Sequence, residues 1–418
     1  MVDNTNEDET LEEKVSEAIV MKEVLESVKI DLNVDKPKRG RKPNLKVEEA
    51  PSTFATPADK LYFEFSSFLE NKAEIYADDG IKQVIPTRIK LLDAILGGGF
   101  PVGVLSIITG QPGSGKSMLA IQALAAAQEQ ISDLLAGYLD SEVATTTARL
   151  AMLGVTKPQL RPYSDITIEK VFKFLEGMCL FKDAKKLVEI PSMVIWDSIA
   201  NTLSQKEREV DDINQVIGYK ARVLSILVPK YVAKMGVYNI SLIAVNQLRD
   251  TMALGNFAPA KDLKFMTAGK HMPGGNTLLY NAFTLLEMKI SSVLKPEMYG
   301  FDGIIATVKT VKNKLFSPNI QIKLVGSFIT GFSDFWTSFE FLKETKRLEA
   351  GAWNFLVALP QKKFRTKDGE ELYKQDPEFK EAFDKQVEEA IDIDIRKKYD
   401  PANGIPVKEE PSDKQEEN

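Results

Sequence analysis

Four apolar runs organise the middle of the chain: Val104–Thr109, Leu135–Asp140, Ser192–Asp197 and Ser241–Asn246. None alternates apolar with polar positions, so each reads as a strand buried on both faces. Helical spacing follows the first three, over residues 116–130, 143–154 and 206–235. Strand–helix alternation of this kind predicts an α/β fold, a mostly parallel central sheet flanked by helices. Further strands are expected at 283–290, 303–312 and 319–325, with no long helix between them. That spacing suits an antiparallel extension of the same sheet. Residues 331–400 alternate short helical and turn segments, as a small C-terminal subdomain would. Residues 401–418 read as an acidic disordered tail.

Ahead of the core the pattern differs. Residues 1–35 hold eleven acids and three lysines, with Leu11, Val15, Ala18, Ile19, Leu25 and Val28 at helical spacing and a capping pair in Thr10 and Glu13. A solvated acidic tail and a short partner-binding helix both fit. Charge then reverses in Lys36-Pro37-Lys38-Arg39-Gly40-Arg41-Lys42-Pro43. This segment resembles an AT-hook: glycine lets the backbone approach the minor-groove floor while Arg39 and Arg41 follow its negative potential. A nonspecific phosphate-binding linker would use the same residues. Residues 51–85 include the aromatic-rich stretch 58–76, suited to a helical oligomerisation segment. The expected divisions are therefore 1–50, 51–85, 86–330, 331–400 and 401–418.

Composition narrows the chemistry. The 418 residues are 44% hydrophobic and 27% charged, enough for a real core. A net charge of −6 excludes a polycation, so any contact with nucleic acid is local. A single cysteine, Cys179, forbids an internal disulfide, and a single histidine, His271, removes histidine pairs and triads. No run of eighteen apolar residues and no basic-then-apolar leader occurs, so a cytoplasmic protein with no membrane partner is expected.

Gly110-Gln111-Pro112-Gly113-Ser114-Gly115-Lys116-Ser117 satisfies G-x-x-x-x-G-K-[ST] between an apolar strand and a helix. Such a loop turns its N–H groups inward on a phosphate, with Lys116 reaching the β- and γ-phosphates of ATP and the Ser117 hydroxyl ligating Mg²⁺. Asp197 ends another apolar run, where a carboxylate holds Mg²⁺ through water. A third run ends in Asp140 and, two residues on, Glu142. Hydrolysis needs a group to orient or deprotonate water, and Glu142 is the candidate; a surface helix-capping acid is the alternative. The fourth run ends in Asn246 and Gln247, polar groups within reach of a γ-phosphate.

The order LLDAILGGGFPVG, GQPGSGKS, DSE, WDS, NQLR, PGGN and VKNK, over roughly residues 54–345, resembles the RecA-type recombinases, most of all the phage UvsX-like branch. The resemblance implies a RecA-like P-loop NTPase core in which Glu142 is the catalytic carboxylate and Asp197 the Mg²⁺ partner. It makes Gln247 a γ-phosphate sensor opening a second DNA-binding loop of about Arg249–Gly275. Independently, that segment interleaves Arg249, Lys261, Lys264 and Lys270 with Met252, Phe257, Phe265, Met266 and Met272, ahead of Gly274, Gly275 and Asn276. Cations there can neutralise phosphates while apolar side chains stack on bases. A first DNA loop would lie near Leu203–Ile213, where Lys206 and Arg208 stand among acids. The resemblance also places Lys312 and Lys314 on the neighbouring subunit's phosphates; without it they read as a solvated strand edge. Arg149 stands where the family usually has an aromatic ring for adenine, and Leu279 where bacterial relatives often carry lysine.

These expectations describe a DNA-dependent ATPase that forms helical filaments on single-stranded DNA and pairs them with homologous duplex. Single-strand-binding and mediator proteins would be its partners in the cytoplasm of a phage-infected bacterium. A hexameric RecA-fold DNA helicase and an ATP-stabilised DNA-organising filament are the alternatives. The PGGN and KNK motifs favour the recombinase, and Glu142 disfavours a purely structural filament.

Overall fold

The computed structural model describes residue 81 and residues 83–399, apart from 157–161, 164, 211–215, 217 and 251–265. Arg39, Arg41, Phe257, Lys261, Lys264 and Phe265 lie outside the described residues, as do the acidic N-terminal segment, most of residues 51–85 and the C-terminal tail.

The chain enters through a short strand pair, β1 (Val84–Ile85) and β2 (Phe100–Pro101), with α1 (Lys90–Leu96) between them. Then β3 (Leu105–Gly110) leads into α2 (Lys116–Gln130), and β4 (Leu135–Asp140) into α3 (Thr147–Met152). After β5 (Pro162–Tyr163), helix α4 (Ile168–Lys185) precedes β6 (Ser192–Asp197). Helices α5 (Gln205–Glu209) and α6 (Tyr219–Val237) lead to β7 (Ile240–Val245). A small antiparallel pair, β8 (Arg249–Asp250) and β9 (Lys270–His271), is followed by α7 (Asn276–Asn281). Long strands β10 (Thr284–Leu294) and β11 (Gly303–Asn313) come next, with β12 (Gln321–Ser327) and β13 (Gly331–Phe332).

The main sheet runs β13-β12-β11-β10-β3-β7-β6-β4-β5. From β10 to β5 every pair is parallel, and from β10 to β13 every pair is antiparallel. The expected α/β sheet with an antiparallel extension is thus what the chain forms. Register matters for the site: Asp140 lies opposite Asp197, and Asp197 opposite Val245. The strands built from these apolar runs therefore end together at one edge, where parallel sheets hold ligands.

One helical expectation needs correction, and one helix was not expected. The stretch 206–235 is not one helix. Ser204 and Glu207 form a capping box that starts α5, extended Val210 ends it, and Gly218, left-handed at φ 73°, starts α6. Helix α4, not anticipated, has a plain amphipathic face: Ile168, Val171, Phe172, Leu175, Met178 and Cys179 are buried, and the Thr167 hydroxyl caps Lys170 N–H at 3.3 Å.

Beyond the sheet lie α8 (Asp334–Glu344), a three-stranded antiparallel sheet of β14 (Leu348–Glu349), β15 (Asn354–Leu356) and β16 (Leu359–Phe364), then α9 (Gly369–Gln375) and α10 (Pro377–Ile391). Phe335, Trp336, Phe339, Phe364, Phe379 and Phe383 join them edge-to-face and stacked, within an apolar core continuous from Ile85 to Ile395. No helix among the described residues is long and apolar enough to cross a membrane.

Candidate functional site

The phosphate loop turns between β3 and α2 because glycine is required twice over. Gly110 has φ 144°, and a Cβ there would lie 2.0 Å from the Met288 carbonyl oxygen on β10. Gly115, at φ 87°, caps α2, and its Cβ would meet the Phe332 ring at 2.6 Å. The 15-residue helix behind the loop directs its N-terminal N–H groups at the phosphate position. Ser114 Oγ donates to Gln111 O at 2.8 Å, and Lys116 Nζ donates to the same carbonyl at 2.6 Å. Burial lowers the Lys116 pKa, with Asp197 and Glu142 pulling it back upward.

Asp197 is buried and points at the same place. Burial pushes its pKa up, opposed by hydrogen bonds from Ser117 and Tyr138, whose hydroxyl donates to Asp197 Oδ2 at 2.8 Å. Burial and the adjacent Asp197 in turn hold the Tyr138 hydroxyl protonated far above its usual range. A serine hydroxyl bonded to a buried carboxylate suits a hard cation that keeps most of its water and shares phosphate oxygens. Among the described residues no cluster of three or more His, Cys, Asp or Glu could hold a metal alone. Mg²⁺ bound with a triphosphate fits this sparse donor set, and the buried Lys116 fits the triphosphate.

Glu142 sits across the cleft. Ser198 Oγ donates to Glu142 Oε1 at 3.1 Å, and Asn201 Nδ2 donates to the same oxygen. Asp140 instead shapes the backbone. Its two oxygens accept N–H from Glu142 at 3.0 Å and Thr145 at 2.9 Å, fixing the turn that presents Glu142. Ser141 stitches this turn to β6, donating to Ser198 O at 3.0 Å while its Oγ accepts Ser198 N–H at 2.9 Å. Ser117, Asp140, Glu142, Thr145, Arg149 and Asp197 line a cleft of about 200 Å³. Arg149 Nη1 reaches over its rim to the carbonyls of Phe328 (2.6 Å) and Ile329 (3.1 Å).

Gln247 follows β7, and Leu248 N–H donates to Gly110 O at 3.3 Å, so this segment begins against the phosphate loop. Arg249 pairs with His271 and stands exposed, beside Lys270 on the partner strand. Gly274 and Gly275 have φ 99° and 79°; a Cβ on Gly274 would strike Leu278 at 2.6 Å, and one on Gly275 would press on Ala221 at 3.2 Å. They bring the chain down onto α6 so that Asn276 can open α7. Met272 is buried, so it serves packing and not a base. In the other loop region, Arg208 pairs with Asp165 at 2.6 Å and Lys206 lies over the Tyr219 ring. Lys312 stands next to the end of β11, which is an interior strand, and donates to Leu279 O and Tyr280 O at 2.8 Å each, capping α7. Burial lowers the Lys312 pKa, and Lys314 adds to the effect. Lys314 itself is exposed, over the Phe283 ring.

Residues 76–333 match the RecA N-terminal domain family. The chain belongs to the RecA family. It is 29% identical over 327 residues to the Protein RecA of Xanthomonas axonopodis pv. citri, covering 77% of this chain and 86% of that protein. Against the Protein RecA of Desulforapulum autotrophicum it is 30% identical over 236 residues, 56% of this chain and 62% of that one. The Protein RecA of Picosynechococcus is 29% identical over the same shares.

For a RecA-family protein, ATP, Mg²⁺ and DNA are the family-level ligands, and the geometry supplies what motifs alone missed. Tyr138 on Asp197, Asn201 on Glu142 and Ser141 between β4 and β6 are partners that motif spacing did not single out. Tyr138 alone had a readable signal, since in a strand it shares a face with Asp140 two residues on.

Proposed function

We propose that this RecA-family chain is an ATP-hydrolysing DNA recombinase that assembles helical filaments on single-stranded DNA and pairs them with homologous duplex. One observation carries the reading. The phosphate loop, the Glu142 carboxylate and the start of the basic, aromatic segment at Arg249 all stand on one edge of the main sheet. Bound ATP supplies the scissile anhydride and Mg²⁺ neutralises its charge. Lys116 and the loop N–H groups would hold the phosphates, while Ser117 and Asp197 would hold the cation. Glu142, kept in place by Ser198 and Asn201, accepts the proton of the attacking water. Gln247 reports the γ-phosphate to the segment it opens. Lys312 and Lys314 serve the adjoining subunit's phosphates, Arg149 borders the base, and residues 249–276 contact DNA. Arg39 and Arg41 add a duplex contact.

The phage UvsX-like branch, the mediator partners and a bacterial cytoplasm rest on the order of sequence motifs. Electron microscopy with single-stranded DNA and ATP, alongside DNA-stimulated hydrolysis, tests the proposal. Helical filaments with turnover are expected; closed hexameric rings indicate a helicase, and filaments without turnover an organising protein. Lys116→Ala should abolish nucleotide binding and with it tight DNA binding, measured by titration of a fluorescent ATP analogue. Normal hydrolysis by that variant would remove the phosphate-loop assignment.

A further inference from the structure

Strand β4 carries a hydroxyl that packing alone does not require. Tyr138, two residues ahead of Asp140, is 0% exposed, and its hydroxyl donates to Asp197 Oδ2 at 2.8 Å. Phenylalanine would fill the same space in the core, so any special role belongs to the oxygen. That oxygen also lies 3.1 Å from Thr145 Oγ1. An ionised carboxylate only accepts, so the tyrosine proton lies toward Asp197 and the Thr145 hydroxyl donates to the tyrosine. Thr145 is held in turn, its N–H donating to Asp140 Oδ2 at 2.9 Å. Asp197 is itself buried and takes the Ser117 hydroxyl as well. One of its two oxygens is therefore committed to a partner inside the protein, while the residue still lines the cleft.

We propose that Tyr138 is a positioning residue that sets cation selectivity: by holding Asp197 Oδ2 in the interior, it leaves one oxygen of Asp197 for the cation, which suits Mg²⁺ and disfavours Ca²⁺. This rests on the proposed function, in which a divalent cation binds there with the triphosphate. Mg²⁺ demands a compact octahedral shell and keeps several waters, so a single oxygen, met directly or through water, is enough. Ca²⁺ takes about six to eight oxygens in a looser shell and often draws both oxygens of a carboxylate. To give up Oδ2, Asp197 must leave the Tyr138 hydroxyl without its acceptor in a place that water does not reach. A buried donor left unsatisfied is costly, and here the cost falls on Ca²⁺ and not on Mg²⁺. Thr145 adds to it, because its own donation fixes the direction of the tyrosine proton.

Tyr138→Phe in the full-length protein removes only this hydroxyl. The probe is a fluorescent non-hydrolysable ATP analogue, bound at increasing Mg²⁺ and, separately, at increasing Ca²⁺, with thermal melts confirming the fold. A hydroxyl that merely supported the fold would affect both cations alike, so the readout is the ratio of their half-saturating concentrations. In the variant that ratio should move toward Ca²⁺ by about fivefold or more, as Asp197 becomes free to offer both oxygens. Where the orphaned Thr145 hydroxyl unfolds the single variant, Tyr138→Phe combined with Thr145→Val removes both hydroxyls and should show the same shift. A ratio within about twofold of wild type in a folded variant overturns the proposal, and so does equal weakening with both cations. A wild type that binds the analogue equally well without any divalent cation removes the cation site itself, and with it that part of the proposed function, which separates the two failures.

Discussion

The proposed role of Glu142 as the base depends on its neighbours as much as on the carboxylate. One oxygen, Oε1, is occupied by Ser198 and Asn201, and the residue lines the cleft. Glu142→Gln keeps the shape and the hydrogen-bonding carbonyl but cannot take a proton. Turnover should drop by at least ~10²-fold while analogue binding persists, the usual loss for a positioned base. Retained turnover in steady-state hydrolysis would send the search for a base elsewhere. Asp140 is a poor substitute because both its oxygens already hold the backbone of the turn. Asn201→Ala tests positioning separately. It should lower kcat by about tenfold without changing nucleotide affinity, since the carboxylate remains but is less constrained.

Among the elements, α1 carries a pH dependence unrelated to catalysis. Asp93 accepts Thr87 N–H at 2.7 Å, closing the turn into the helix. Burial raises its pKa to about 6, with a further push from Asp334. A carboxyl group raised in the folded state contributes stability that is full below the unfolded value and is lost as pH rises through the folded one. Between pH 4 and 6 the Asp93 contribution should therefore decline, by up to about 3 kcal/mol. Asp93→Asn retains a carbonyl for Thr87, so melting temperatures across this window should be flatter for the variant than for wild type. A parallel profile would assign the slope to other carboxylates, Asp334 first. Strands β3, β4, β6 and β7 were legible because burial on both faces leaves apolar runs without regular polar alternation, and α2 because its glycine-lysine start marks the boundary. The break between α5 and α6 was not, since it depends on Gly218 taking a left-handed conformation that helical spacing conceals. The carboxylates of the site were legible as strand ends. Their hydroxyl and amide partners were not, because Ser198 and Asn201 meet Glu142 across 56 and 59 residues of chain.

For the whole molecule the decisive question is whether a site is completed by the next copy of the chain. Lys312 is engaged within its own subunit, capping α7 through Leu279 O and Tyr280 O, whereas Lys314 is exposed beside it. Two cations held this close repel, which the lowered Lys312 pKa reflects after burial, and an incoming phosphate would relieve the repulsion. On the proposed reading, in which the lysines serve the adjoining subunit, changing both to Ala should leave nucleotide binding by each isolated phosphate loop intact. Melting curves must first show that α7 survives the loss of its cap. If the proposed shared site exists, hydrolysis stimulated by single-stranded DNA should then collapse, since no cation would reach the neighbour's γ-phosphate. Mixing this double variant with Glu142→Gln gives the sharper readout. Each should be inactive alone. Where the double variant contributes its phosphate loop and Glu142, and the other its lysines, every part is present at one interface. Partial recovery of ATPase on co-assembly is expected. Co-assembly without recovery would mean that the lysines act within their own subunit or hold α7 alone, and a filament built on shared sites would have to be abandoned.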